Sequence, residues 1–222
     1  MKKLSILLLT LLFLLSGLIW SLPGDTTRAA AAEESFSALF LRGASLFSGV
    51  AYDFTIASKR GSSSGKMWMA SPKIRIDFTA NNRKMSSILD SQNQSMYTYF
   101  PDENRAMKLT YNPNNLPIKS AEAYIKDIAP EKIKELPGET YDGVWCRVFI
   151  RQDDRYNNLL SKMWIREDYG LPAKVEVTET DGTLTVVEYR NFVVGPLSPE
   201  TFILPPGVKV TDMSGILNRL IH

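Results

Sequence analysis

The sequence predicts a mainly β fold of the α+β class, in which helices cover one side of a large antiparallel sheet. Apolar and polar residues alternate with period two in short runs between residues 50 and 190. Turn-forming residues separate these runs, and only two segments have helical spacing. We therefore expect about ten or eleven strands and two helices in a single domain.

The segment at 1–32 has the features of an export signal. A basic pair precedes an apolar run at 4–20, and small alanines fit a cleavage site before Glu33. An uncleaved anchor is the alternative, because a helix over this run would reach about 25 Å, slightly short of a bilayer core. We expect a signal peptide or N-terminal anchor at 1–32, followed by one domain at 33–222. The expected location is extracytoplasmic and membrane-proximal, either the periplasm or the outer face of the cytoplasmic membrane.

The charge balance excludes one class of partner. The chain carries 26 basic and 24 acidic residues and one histidine. Three of the basic side chains and one of the acidic side chains lie in the segment at 1–32, so the domain at 33–222 carries equal numbers of each sign. A formally neutral domain lacks the basic surface that binds phosphate backbones, so we expect no nucleic acid partner.

Two segments are predicted to be helical. In the segment at 34–48, apolar residues recur at helical spacing after Ser35, a typical N-cap residue. The second segment, at 120–128, ends before Pro130. Both are expected on the apolar side of the sheet.

The period-two runs predict the strands, which we place in chain order with numbered bounds. They are expected at 50–56, 66–70, 74–78, 83–89, 95–100, 105–110, 133–136, 144–151, 160–166, 173–180 and 183–190, with one short strand between 197 and 210.

Three features of the connections carry specific predictions. The Ser- and Gly-rich stretch at 59–65 is expected to be a turn. Pro72 interrupts a strand run, which indicates an edge strand or a bulge. Asp181-Gly182 lies between two alternating runs and predicts a hairpin turn in which both central residues have positive φ.

One face of the predicted sheet is apolar. Ile74, Ile76 and Phe78 share a face, and Arg75 and Asp77 share the other. The same alternation assigns further residues to the apolar face: Val144, Cys146, Val148, Ile150, Ala173, Val175 and Val177. Either the helices fill the space over this face as an ordinary core, or an apolar cavity remains that accepts an acyl chain.

The sequence lacks the usual catalytic constellations. His222 is the only histidine and the last residue, so a Ser-His-Asp triad and histidine-based zinc sites are not expected. The acidic pairs at 153–154 and 167–168 join sequence neighbours, which point to opposite faces of a strand. A hydrolase that uses carboxylates alone is the remaining catalytic alternative. We predict a non-catalytic protein without metal or cofactor, with Cys146, the only cysteine, as a core residue.

Several ordered segments support a family resemblance. They are Gly65-Lys-Met-Trp-Met-Ala-Ser-Pro72, Ile74-Arg-Ile-Asp-Phe78, Met96-Tyr-Thr-Tyr-Phe-Pro101, Met163-Trp-Ile-Arg-Glu-Asp-Tyr-Gly-Leu-Pro172, the stretch 175–192, and Phe202 with Pro206-Gly-Val208. This series resembles the bacterial outer-membrane lipoprotein carrier LolA and the related lipoprotein-sorting proteins. The likeness covers residues 35–212.

The resemblance implies an unclosed antiparallel β-barrel of about eleven strands, plugged on its concave face by helices that act as a lid. It further implies an exported, non-catalytic carrier or binder of lipid or lipoprotein acyl chains, held in an apolar half-barrel cavity. The candidate ligand-binding residues are Trp68, Ile74, Ile76, Phe78, Tyr97, Tyr99, Trp164, Val175 and Val177.

One position departs from the family pattern. The carrier has an arginine immediately before the strand proline, which ties down the lid, and this chain has Ser71 there. The departure favours an alternative, namely an envelope protein-interaction or regulatory module on the same fold with no lipid transport. The resemblance extends to periplasmic regulators that bind other proteins, so an envelope protein is a second expected partner class.

Overall fold

The computed structural model describes residues 34–80, 82–110, 132–153, 159–179 and 181–214. The predicted leader, the predicted helix at 120–128 and His222 lie outside these residues. In the part of the chain that is described, no helix has the length and apolar composition needed to cross a bilayer.

The first predicted helix is confirmed. Helix α1 spans Phe36–Ser45 and continues into a short 3-10 turn at Leu46–Ser48. Ser35 is its N-cap, because the Ser35 Oγ accepts a hydrogen bond from the Ala38 amide at 3.2 Å. This bond satisfies one of the amides that an α-helix leaves free in its first turn.

Twelve strands follow among the described residues. They are β1 (Val50–Ser58), β2 (Gly61–Ala70), β3 (Lys73–Ala80), β4 (Arg83–Asp90), β5 (Ser95–Phe100), β6 (Arg105–Thr110), β7 (Ile133–Tyr141), β8 (Val144–Asp153), β9 (Leu159–Arg166), β10 (Pro172–Thr178), β11 (Leu184–Val194) and β12 (Lys209–Asp212).

The strands form one sheet in the order β12-β6-β5-β4-β3-β2-β1-β11-β10-β9-β8-β7. The sheet therefore has two edges and is not closed, as expected. Neighbours within β2–β6 and within β7–β11 pair antiparallel, which is confirmed. The twelfth strand differs from the prediction, because β12 pairs with β6 in parallel and makes the sheet mixed.

Two predictions about the connections are wrong. Only residues 59–60 form the turn before β2, and the Ser- and Gly-rich stretch from Gly61 onward is strand. Pro72 lies in the two-residue connection between β2 and β3, after a cis Ser71–Pro72 peptide bond, and both strands are internal to the sheet. In both cases residues that are typical of turns lie within or next to a strand. Pairing with the neighbouring strands outweighs the local preference of these residues.

The Asp-Gly signal at 181–182 marks a hairpin, as predicted, but not a two-residue turn. Thr178 pairs with Leu184, so five residues connect β10 and β11. The two-residue turn lies instead between β7 and β8, where Asp142 and Gly143 have φ values of 51° and 77°. Positive φ at both central positions is the property of a type I′ turn, whose twist matches that of the strands.

The described residues group into two compact units. Unit 1 contains α1, strands β7–β10 and β11 up to Glu188. Unit 2 contains β2–β6, β12, most of β1 and β11 from Tyr189 onward.

The core of unit 1 lies between α1 and the sheet. Phe36 and Leu39 of the helix pack against Phe149 and Ile165 of β8 and β9. The rings of Phe36 and Phe149 meet edge to face with centroids 5.0 Å apart, a favourable aromatic geometry. The helix therefore buries its apolar side against the sheet, as predicted.

The helix nevertheless covers the other face of β8 from the one predicted. Cys146 and Val148 lie on the opposite side, where they pack with Trp164 and Ala173. The register between β10 and β9 shifts at Ala173, so this residue does not share a side with Val175 and Val177. The assignment of Cys146, Val148 and Ala173 to the helix side is therefore wrong. Both faces of β8 are buried, and alternation alone does not tell such faces apart.

Two arginines hold α1 on unit 1. Arg42 donates to the Glu34 carboxylate at 3.0 and 3.1 Å and to the carbonyl oxygens of residues 167–168 at 2.7 and 2.8 Å. Arg147, which is only 8% exposed, donates twice to the Glu135 carboxylate at 2.6 Å and once to the Glu34 carbonyl oxygen. Bidentate pairs of this type fix geometry as well as contributing energy.

The core of unit 2 combines aromatic and thioether side chains. Tyr52 is 2% exposed, and its hydroxyl donates to the Met67 Sδ at 2.9 Å. Its ring meets that of Tyr189 edge to face at 5.5 Å. Burial raises the pKa of Tyr52 well above its usual range, so this phenol remains neutral.

Candidate functional site

Unit 2 has an apolar sheet face, which we call the methionine face. Its members follow from the antiparallel register, since residues directly opposite one another point to the same side. They are Gly65, Met67, Met69, Ile74, Ile76, Phe78, Met85, Ser87, Leu89, Met96, Thr98, Phe100, Met107 and Leu109, together with Arg105, which lies opposite Phe100 at the start of β6. Methionines from four of the strands, namely β2, β4, β5 and β6, therefore share one side of the sheet.

Burial changes across the methionine face. Met67 and Met69 of β2 are fully buried, at 0% and 1% exposure. Met85, Met96 and Met107 on β4, β5 and β6 are only partly buried. The face is therefore closed beside β1 and more accessible toward β6. Methionine is unbranched and flexible, so such a surface adapts to ligands of different shape.

The opposite side of the same strands, here called the polar face, is built around Arg75. Its guanidinium donates to both carboxylate oxygens of Asp77 at 2.8 and 2.9 Å, and to the Thr201 carbonyl oxygen at 2.9 Å. Asp77 also accepts from the Ser86 hydroxyl at 2.6 Å. Arg75 thereby ties the C-terminal 3-10 turn at Pro199–Phe202 to the sheet.

A groove of about 510 Å³ lies within unit 2. About half of the side chains that line it belong to the polar face, while Gly65, Phe78 and Met85 belong to the methionine face and the others to β1 or to the turn after β5. The lining residues are Asp53, Phe54, Thr55, Ser64, Gly65, Lys66, Arg75, Asp77, Phe78, Thr79, Lys84, Met85, Ser86, Tyr99 and Pro101. Its lining combines charged and hydroxyl groups with apolar side chains such as Phe54, Phe78 and Met85.

The structure divides the predicted binding residues of the second unit between the two faces. Ile74, Ile76 and Phe78 lie together on the methionine face. Trp68 pairs with Arg75, and the two tyrosines of β5 pair with Ile88 and Ser86, so these three aromatic residues lie on the polar face. One ligand on one face of the sheet therefore contacts only one of the two sets.

The predicted binding residues of the first unit are divided in the same way. Val175 pairs with Met163, which in turn pairs with Phe149, so Val175 and Val177 lie on the side that α1 covers. Trp164 lies on the other side, with Cys146 and Val148.

Trp164 is enclosed by polar and charged neighbours. It is 4% exposed, and its indole nitrogen donates to Glu139. The ammonium groups of Lys162 and Lys174 lie 4.3 and 4.4 Å from its ring centroid. Cation–π contacts and a satisfied indole are typical of a packed structural residue.

Sequence reasoning missed the methionines. Met67 and Met69 flank Trp68, so period two already places them opposite the tryptophan. The predictions gave weight to the aromatic residues of these strands and overlooked the alternating thioethers. Met96 and Met107 lie on the same face because of the strand register, which cannot be read from the sequence.

Catalytic chemistry has little support among the described residues. Cys146 is fully buried, and burial raises the pKa of its thiol to about 11, so it is the predicted core residue. Asp168 is bound by the Arg166 guanidinium at 2.7 and 3.0 Å. No group of three His, Cys, Asp or Glu side chains in the described part of the chain is arranged to hold a metal ion.

Comparison with known proteins identifies the fold but no family. No family model and no curated protein matches the sequence. An uncharacterized conserved protein from Thermus thermophilus has a similar structure, with TM-score 0.55 and 8% identity over 78% of this chain and 96% of that chain. MucB in complex with MucA(peri) is similar with TM-score 0.53 and 11% identity, over 80% of this chain and 62% of that chain. This chain thus spans less than two thirds of MucB.

A LolA superfamily protein, NE2245 from Nitrosomonas europaea, also matches, with TM-score 0.37 and 11% identity over 77% of this chain and 98% of that chain. At these identities the similarities concern the fold alone. The large sheet with two edges, the antiparallel pairing of β2–β6 and of β7–β11, and the helix packed on unit 1 are the LolA-like architecture that the sequence resemblance implies.

Proposed function

We propose that the protein is an exported, non-catalytic binder of lipid or lipoprotein acyl chains, and that the chain binds on the methionine face. The observation that carries this proposal is the largely apolar surface that β2–β6 present on one side, in which Ser87 and Thr98 are the polar positions between the apolar ones. Ile76 and Phe78 lie at its centre and are partly exposed, beside the more accessible methionines.

Burial of hydrocarbon is the driving force in this proposal. Each methylene group that leaves water contributes about 0.8 kcal/mol, so ten methylenes contribute about 8 kcal/mol before the costs of association. Flexible thioether side chains adapt to a flexible ligand without leaving voids. In this proposal Trp68, Tyr97 and Tyr99 do not contact the acyl chain, because they lie on the polar face.

The test uses a matched pair of charge substitutions on β3. Ile76→Glu places a carboxylate on the methionine face, and Thr79→Glu places one on the polar face of the same strand. We expect the purified protein to take up a fluorescent fatty acid, Ile76→Glu to reduce this uptake at least about tenfold, and Thr79→Glu to preserve it. Circular dichroism and urea unfolding check that both variants are folded. Equal loss in both variants, or no uptake by the unsubstituted protein, contradicts the proposal.

The second candidate function is an envelope protein-interaction or regulatory module without lipid transport. Two observations favour it: Ser71 replaces the arginine of the family pattern, and MucB, a protein with a similar fold, has been solved in complex with MucA(peri). Native mass spectrometry of the exported protein distinguishes the two functions. A retained lipid mass supports the carrier, whereas a stoichiometric protein partner without extractable lipid supports the interaction module.

A further inference from the structure

The thioethers of the methionine face differ in their access to solvent. Five of the seven methionines among the described residues lie on this face. Met67 and Met69 are buried, and Met67 also accepts the Tyr52 hydroxyl hydrogen bond. Met85, Met96 and Met107 are partly exposed. Small oxidants therefore reach these three sulfur atoms before they reach the other two.

Two of the three accessible methionines also lie close together. Met96 pairs with Leu109, and Met107 pairs with Thr98, so the two methionines are diagonal neighbours on adjacent strands. Met85 lies on β4, opposite Phe78, and is four residues, or about 13 Å, along that strand from Leu89, which is opposite Met96. A change in polarity at Met96 and Met107 therefore affects one local area, and Met85 is a separate point on the same face.

We infer that Met85, Met96 and Met107 form an oxidation site at which peroxide converts the apolar face into a polar one. In each reaction one oxygen atom of hydrogen peroxide is transferred to the thioether sulfur, the O–O bond breaks and water leaves. The sulfur is oxidised to a sulfoxide and the peroxide is reduced. A sulfoxide is a strong hydrogen-bond acceptor, so contact with hydrocarbon becomes unfavourable.

The consequence for ligand binding rests on the proposed function. An acyl chain bound on this face shields the three sulfur atoms, and oxidation of these atoms releases the chain. The reaction is reversible by methionine sulfoxide reductases, so the site responds to the oxidative state of its compartment.

The first experiment does not depend on any ligand. The folded protein is treated with limiting hydrogen peroxide, and the oxidation of each methionine is followed by peptide mass spectrometry. We expect Met85, Met96 and Met107 to react at least about tenfold faster than Met67 and Met69. Equal rates at all five methionines, or faster reaction of the β2 pair, would overturn the inference.

The second experiment measures binding of a fluorescent fatty acid before and after peroxide. The triple variant Met85→Leu/Met96→Leu/Met107→Leu keeps volume and polarity, so it is expected to bind and to be insensitive to peroxide. Met163→Leu, on the α1 side of unit 1 and outside the face, is the matched control and is expected to remain sensitive. Retained binding by protein that carries all three sulfoxides would refute the inference and leave the proposed function intact. Absence of binding before peroxide treatment refutes the proposed function. In that case the relative oxidation rates from the first experiment still test whether the three methionines form an oxidation site.

Discussion

Gly43 of α1 and Gly170 of the turn after β9 contact each other through their backbones. A Cβ atom at Gly43 would lie 2.6 Å from the Gly170 carbonyl carbon and closer still to its oxygen. Gly170 has φ of 68°, and a Cβ there would lie 2.8 Å from the Gly43 nitrogen. Together with the hydrogen bonds of Arg42 and Arg147, this contact packs α1 closely against the rest of unit 1.

We predict that Gly43→Ala destabilises the protein. Alanine in a helix interior gains about 1 kcal/mol over glycine. The Cβ atom meets backbone that cannot rotate away, and overpacking costs about 1–3 kcal/mol, so a net loss is expected. Urea unfolding measures it. Leu41→Ala, on the exposed side of the same helix, is the control and is expected to change stability by about 0.5 kcal/mol or less. A stability gain in Gly43→Ala would contradict the close contact.

The two arginines that hold α1 are predicted to contribute unequally to the free energy of unfolding. Arg147 is nearly buried, and its Arg147→Met variant loses charged hydrogen bonds, which are worth about 1.5–3 kcal/mol. The Arg42 side chain is 37% exposed, so the Arg42→Met variant is expected to lose about 1 kcal/mol or less. Methionine preserves the aliphatic packing in both. Comparison of the unfolding free energies of the two variants tests the order, and an equal or reversed effect would argue against the larger contribution of Arg147.

The Cys146 thiol is predicted to be inert in the folded protein. It is fully buried, and burial raises its pKa to about 11, so the thiolate is scarce at neutral pH. A chromogenic disulfide reagent should label it slowly in buffer and quickly in denaturant. Rapid labelling of the native protein would show that the thiol is accessible.

Asp168 is predicted to contribute to acid sensitivity. Hydrogen bonding from Arg166 lowers the pKa of Asp168 below its usual value of 3.8. The stabilisation is therefore present above pH 3.8 and is lost as the pH falls through the folded-state pKa. Asp168→Asn should reduce stability at neutral pH and flatten the acid limb of a stability–pH profile measured by urea unfolding. The effect should be modest, because the side chain is 44% exposed. An unchanged profile would count against this ion pair.

Several features could be predicted from the sequence alone because they depend on local chemistry. Period-two alternation determined the existence of the strands from 50 to 194, and Ser35 marked the start of α1. Burial of Cys146 followed from its apolar surroundings and is confirmed.

Only the tertiary structure decided which faces meet. Trp68 and Ile74 belong to neighbouring strands that resemble a family motif, yet they lie on opposite sides of the sheet. Phe149, and not Val148, faces α1. Alternation divides each strand into two sides, but it does not state which side of one strand aligns with which side of the next. That alignment is set by the hydrogen-bond register between the strands, by bulges, and by the length of turns such as Asp142-Gly143. These features are established only when the strands pair in the folded chain.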